Sequence, residues 1–230
     1  NLRKLIRPGK TKLVWIESPA NPIFSCVDIL EAAQITHDAN ARLCVDSTIA
    51  TPILTRPIEL GADLVMHSAT KYLNGHSDVT AGALITASDD EWWKKMREIR
   101  TFHGKILSPN DTWLLLRGLR TLHLRVNQSC NNAMDIARHF ESYREVKEVL
   151  YPGLKSSSTH EIAKKQMKSG FGGMLSMRFV GGERKAIDVA ANLKVFKRAT
   201  SLGGVESLVE HRASIEGEGT TVPSDLLRFS

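Results

Sequence analysis

Three short apolar runs, at residues 12–17 (KLVWIE), 42–46 (RLCVD) and 62–66 (ADLVM), constrain this chain more than any other feature. Each is rich in β-forming residues, long enough for a buried strand and too short for a buried helix. Ser18-Pro19-Ala20-Asn21-Pro22 breaks the first run sharply, and Gly61 bounds the third. Between the first two, residues 27–39 carry Val27, Ile29, Leu30, Ala33 and Ile35 at helical spacing, with Asp28 and Glu31 in the opening turn. Strand, helix, strand, short helix, strand is the pattern of a parallel sheet wrapped by helices. In such sheets ligands collect beyond the carboxyl ends of the strands. Those three ends carry Glu17, Ser18 and Asn21, then Asp46 and Thr48, then Ser68, Thr70 and Lys71.

The third end carries the most distinctive chemistry. A lysine just past a buried strand loses proton affinity through desolvation and nearby positive charge, and then attacks carbonyls. Ser68 and Thr70 stand at alternate positions, on one side of the chain, where hydroxyls can hold a phosphate beside that amine. An amine beside a phosphate site suits a Schiff base to a phosphorylated aldehyde, pyridoxal phosphate (PLP). Asp46 either caps the turn through Thr48 or keeps a pyridine nitrogen protonated, making the ring an electron sink. Asn21 is a turn residue before proline or a hydrogen-bond partner for a ring hydroxyl. Arg228, flanked by apolar residues, has the fork that grips a substrate carboxylate in bidentate fashion. The turn Ser201-Leu202-Gly203-Gly204 lets backbone approach a ligand closely. His67, His76, Asp78 and His103 fit no metal-ligand spacing and are expected as core or surface residues.

The net charge of +6 and the pI of about 9.3 invite a nucleic-acid reading. The basic residues argue against it. Lys94, Lys95, Arg97 and Arg100 are interleaved with Glu91 and Glu98 as on a solvated helix face, without stacking aromatics or a nucleic-acid motif. No membrane-spanning run or signal peptide is present. Cys26, Cys44 and Cys130 form no C-x-x-C pair, which points to a reducing, cytoplasmic compartment rather than to disulfides or structural zinc.

The remainder is expected as a strand at 81–86, a helix at 89–102 capped by Ser88 or Asp89, and one long helix from 108 to about 141. A basic helix at 159–168, a strand at 174–180, a helix at 183–193 and strand-like residues at 196–200 and 226–230 follow. This divides the chain into part of a large cofactor-binding domain, 1–115, and a long connecting helix with a smaller α/β domain, 116–230.

Four segments together resemble one family. ESPANP at 17–22, VDST at 45–48, SATKYLNGHSD at 68–78 and SLGGVESL at 201–208 are similar, in the same order, to the Cys/Met-metabolism PLP enzymes. These include cystathionine γ-synthase, cystathionine γ- and β-lyases, methionine γ-lyase and the homoserine-ester sulfhydrylases. The resemblance implies the aspartate-aminotransferase-like fold type I, an α/β fold with a mostly parallel sheet, and carbon–sulfur bond formation or cleavage on amino-acid substrates. It further implies a homodimer or homotetramer for the full-length protein. Lys71 would carry the internal aldimine and shuttle protons, and Asp46 would pair with the pyridinium nitrogen. Ser68 and Thr70 would hold the phosphate and Asn21 the ring oxygen, Thr48 would also contact the cofactor, and Ser201, Arg228 and Asn21 would bind the substrate.

Family members carry an upstream phosphate loop, a ring-stacking tyrosine and a Tyr/Arg pair donated across the dimer, none of which lies within these residues. Expressed alone, the 230 residues are therefore expected to bind PLP poorly and to turn nothing over. Thr200 replaces the acid common in γ-acting members, Leu202 departs from the tryptophan of bacterial β-lyases, and His211-Arg212-Ala213-Ser214 departs from the usual proline-containing pattern. A non-catalytic relative and a basic nucleic-acid-binding module are the two rival readings.

Overall fold

The computed structural model describes residues 2–230. After a single turn, α1 (Leu2–Leu5), the chain runs β1 (Leu13–Glu17), α2 (Ile29–Asp38), β2 (Arg42–Asp46), α3 (Thr51–Leu54), a 3₁₀ turn (Pro57–Leu60), β3 (Leu64–Ser68) and β4 (Gly82–Thr86). Asp28 caps α2 through the Glu31 amide at 3.1 Å. Ile29, Ala32 and Ala33 of α2 bury against Val14, Leu43 and Val45. Strand order in this sheet is β1-β2-β3-β4.

β1, β2 and β3 are parallel, with Glu17 opposite Asp46 and Asp46 opposite Met66, so their carboxyl ends lie side by side. β4 is antiparallel to β3. The connection at 69–81 holds turns but no helix to carry the chain across the sheet, so it returns beside the strand it left.

Two helices, α5 (Pro109–Leu119) and α6 (Leu122–Phe140), follow α4 (Glu91–Phe102), which Asp90 caps instead of Ser88 or Asp89. The single helix expected over 108–141 is thus broken at Arg120 and Thr121. The Gly118 carbonyl explains the break. It accepts the Thr121 amide at 3.2 Å and the Arg125 Nη2 at 2.7 Å, so the usual bond from residue 122 is replaced by a tighter turn and a side chain. Residue 116, where the sequence-based division falls, lies inside α5.

The remaining elements are β5 (Val146–Leu150), α7 (His160–Gln166), β6 (Leu175–Phe179), α8 (Gly182–Asn192), β7 (Lys197–Arg198), β8 (Leu208–Glu210), α9 (Arg212–Glu216) and β9 (Leu226–Phe229). They form a second sheet ordered β5-β6-β9-β8-β7, antiparallel except for the β7–β8 pair. β5 and β8 carry no sequence signal strong enough to announce them: one is a mixed, half-exposed edge strand and the other only three residues long. Ala133 and Ala137 of α6 and Ala186 and Ala190 of α8 pack on this sheet over Met177, Leu227 and Phe229.

A separate core joins the two halves. Phe24, Ile49, Leu54 and Tyr72 from the first half meet Val126 and Cys130 of α6, Met174 and Leu202. Each sheet thus has its own core and this third cluster packs the halves together, bringing the strand ends of the first half against Ser201 and Arg228 of the second. Among the described residues no helix is long and apolar enough to cross a membrane.

Candidate active site

The carboxyl ends of β2 and β3 are stitched together by short polar side chains. Asp46 Oδ1 accepts the Thr48 amide at 3.0 Å, and Thr48 Oγ1 accepts the Ser68 amide at 2.8 Å. Asn21 joins from the end of β1, its amide donating to Glu17 Oε1 at 3.3 Å. Burial, with Asp46 adding to it, raises the Glu17 carboxyl above its ordinary pKa, partly offset by the Asn21 amide.

Beyond β3 the chain turns tightly, with the Lys71 amide on Ser68 O at 3.0 Å and the Gly75 amide on Lys71 O at 2.8 Å. Gly75 sits at φ +74°, where a side chain is disfavoured, and an added Cβ would lie 1.9 Å from the Arg125 guanidinium. Arg125 Nη1 in turn donates to Tyr72 O at 2.7 Å and clamps the lysine turn onto α6. The Thr70 hydroxyl is engaged by Ala81, accepting its amide at 2.9 Å and donating to its carbonyl at 3.3 Å. Thr70 thus faces the start of β4, whereas the Ser68 hydroxyl makes no hydrogen bond among the described residues.

Lys71 Nζ donates to Ser201 Oγ at 3.2 Å, across 130 residues of sequence. Desolvation and the Arg228 charge lower the lysine below its ordinary proton affinity, and Glu210 opposes them. Ser201 is held at φ +85°, an uncommon conformation for a residue with a side chain. In that conformation its hydroxyl meets Lys71 while its carbonyl accepts Arg228 Nη2 at 2.7 Å. Arg228 Nη1 reaches Asn21 Oδ1 at 3.5 Å, closing the circuit from β9 back to the end of β1.

The structure therefore links Asn21, Asp46, Thr48, Ser68, Lys71, Ser201 and Arg228 through hydrogen bonds and adjacent strand ends, with Thr70 at the rim beside Ala81. Sequence reasoning missed four supporting residues. Glu210, 3% exposed, is ion-paired with the equally buried Arg228, and Arg212 approaches the same carboxylate at 3.5 Å. Arg125 and the buried Tyr72 hold the lysine turn. The only available signal for Glu210 was an acid ending an apolar run, which by itself names no partner.

The Cys/Met metabolism PLP-dependent enzyme family profile matches residues 1–224. The chain is 46% identical to cystathionine gamma-synthase of Mycobacterium tuberculosis over 96% of its own length and 58% of that protein's. It is 45% identical to cystathionine beta-lyase of Coxiella burnetii over 89% and 53% respectively. The crystal structure of metB from Corynebacterium glutamicum superposes with a TM-score of 0.94 at 44% identity, covering 100% of this chain and 60% of that one. The chain thus spans between half and two thirds of the length of these relatives.

Proposed function

Because the chain belongs to the Cys/Met-metabolism PLP-dependent enzymes, we propose that its protein is a PLP-dependent trans-sulfuration enzyme of the cystathionine γ-synthase or γ-lyase type. It forms or cleaves a carbon–sulfur bond on sulfur amino acids or homoserine esters. Cystathionine β-lyase, methionine γ-lyase and O-acyl-homoserine sulfhydrylase chemistry are the alternatives within the family, as the name of the Coxiella relative illustrates. One observation carries the reading. An amine of lowered proton affinity, Lys71, stands at the strand ends and is bridged by one residue, Ser201, to a buried guanidinium, Arg228, the hydroxyl meeting the amine and the carbonyl the guanidinium.

The donor set suits the cofactor. An amine awaits the aldehyde, a carboxylate at Asp46 the ring nitrogen, a free Ser68 hydroxyl the phosphate, and an amide at Asn21 the ring oxygen. When bound, PLP supplies an electron sink for charge developing at the substrate α-carbon. The chain's own residues do the rest. Lys71 Nζ would hold the cofactor through its aldehyde and, once released by the substrate amine, move the α-proton; Ser201 Oγ would steer Nζ, and Arg228 would orient the substrate carboxylate. Thr70 would stand with Ser68 on the phosphate side while its hydroxyl also holds the turn at Ala81, and Thr48 would line the cofactor site while fixing the Ser68 amide. The division into a large cofactor-binding part and a smaller C-terminal part, a homodimeric or homotetrameric assembly and a cytoplasmic location belong to the same proposal.

An absorbance spectrum of the full-length protein with PLP tests it. A visible band is expected in the wild type and its loss in Lys71→Ala, with correct folding of both checked by circular dichroism. No band in the folded wild type would overturn the cofactor assignment. Turnover of cystathionine, of homoserine esters with cysteine, and of methionine then separates the family reactions.

A further inference from the structure

We propose that Glu210 is a positioning residue that holds Arg228 by one nitrogen and leaves the other to receive the substrate carboxylate; this rests on the function proposed above. The two ends of the Arg228 guanidinium have different surroundings. Nη2 is occupied by the protein, ion-paired with Glu210 and donating to Ser201 O at 2.7 Å. Nη1 has only the long 3.5 Å contact with Asn21 Oδ1, on the side of the strand ends. A guanidinium pinned at one end offers its free end in a single direction, which is the condition for oriented recognition of a planar carboxylate.

Glu210 is itself built in. It is 3% exposed, it pairs across adjacent strands with Arg228, and Arg212 Nη1 lies 3.5 Å from the same oxygen. Arg212 is shared with Glu216 through Nη2, so Glu210 is the carboxylate that Arg228 has to itself on this side. A substrate carboxylate on the Nη1 side would therefore bind without displacing Glu210. A buried arginine without Glu210 would lose both its counter-charge and its direction.

The test compares two small ligands that differ only in the group Arg228 reads. Glycine and glycinamide are titrated into the PLP-loaded full-length protein, and dissociation constants are taken from the change in visible absorbance. Glu210→Ala is expected to weaken glycine about tenfold, the scale of a misdirected contact, while glycinamide shifts less than about twofold. Glu210→Gln, which keeps an acceptor oxygen at the same place, is expected to restore glycine binding to within about threefold of wild type. With substrate, the alanine variant raises KM far more than it lowers kcat.

Should the alanine variant fail to fold, Glu210→Asp, with the carboxylate withdrawn by one methylene, is expected to show the same glycine-selective loss. Equal weakening of glycine and glycinamide, or unchanged glycine binding in a folded variant, would overturn the proposal. An absent visible band in the wild type is the separate signature that the cofactor reading has failed, whereas a normal band with unchanged glycine binding rejects Glu210 alone.

Discussion

Lys71 shows how one residue's chemistry is set by groups far away in sequence. Burial and Arg228 both lower its proton affinity, and Glu210 opposes them, so the amine is tuned by residues 139 and 157 positions downstream. The cysteines show burial acting in the opposite chemical sense. Desolvation raises the Cys26 and Cys44 thiols to about 11, so at pH 8 the reactive thiolate is scarce as well as shielded. All three cysteines are buried. A disulfide-exchange reagent at pH 8 is therefore expected to label none of them in the native protein and all of them in denaturant, counted by mass spectrometry. Fast labelling of native Cys26 or Cys44 would contradict the packing described. That these residues are unpaired thiols was legible from their spacing; that they are inert required their surroundings.

At the scale of elements, the second sheet is secured where β5 and β6 meet the approach to β9. Arg178 of β6 holds Asp225 through two bonds, Nε to Oδ1 at 2.7 Å and Nη2 to Oδ2 at 3.0 Å, and Lys147 of β5 adds a third contact at 3.4 Å. Arg178 foremost, with Lys147, holds the Asp225 carboxyl below its ordinary pKa of 3.8. A depressed carboxyl pKa stabilises the fold fully above the ordinary value, and the contribution is lost as pH falls through the lower folded value. Asp225→Asn is therefore expected to lower Tm at pH 7, with the gap to wild type closing as pH drops below about 4. A gap independent of pH would mean that shape, not charge, holds this corner. Neither partner was conspicuous in sequence, since Arg178 lies in a strand and Asp225 in a turn 47 residues away. Strands and helices with strong periodicity, such as α2 and β2, were readable because their pattern is local. The break between α5 and α6 was not, because a carbonyl captured by Arg125 and a glycine pressed onto Asn74 are tertiary events.

For the whole molecule, the apolar faces left uncovered are informative. α4 buries none of its residues and α5 buries only Gly118, yet α5 exposes Trp113, Leu116 and Leu119 at helical spacing, by 57%, 56% and 37%. An unpartnered apolar stripe of this kind drives association. In the full-length protein the paired change Trp113→Lys and Leu116→Lys is expected to shift sedimentation velocity toward a smaller species with the circular dichroism spectrum kept. An unchanged sedimentation coefficient would reject α5 as the contact surface of the proposed assembly. Sequence reading identified the solvated, charged face of α4 but not the exposed face of α5, because apolar periodicity says which side is oily and not what covers it.

The sequence by itself determined the alternation of strands and helices in the first half, the strand ends as the place for chemistry, and the identity of Lys71, Asp46, Asn21, Ser201 and Arg228 as its candidates. It could do so because strand length, helical spacing and the sharp SATKYLNGHSD turn are properties of neighbouring residues. Only the tertiary structure decided that β4 returns antiparallel, that the long helix breaks, that Thr70 turns toward Ala81, and that Glu210 stands behind Arg228. β4 returns because the connection at 69–81 forms no helix. The helix break and the Thr70 contact depend on which partner reaches an open carbonyl or hydroxyl, and Glu210 meets Arg228 only through strand pairing. A single residue's neighbours do not specify such partners, and leaving buried polar groups without them is costly.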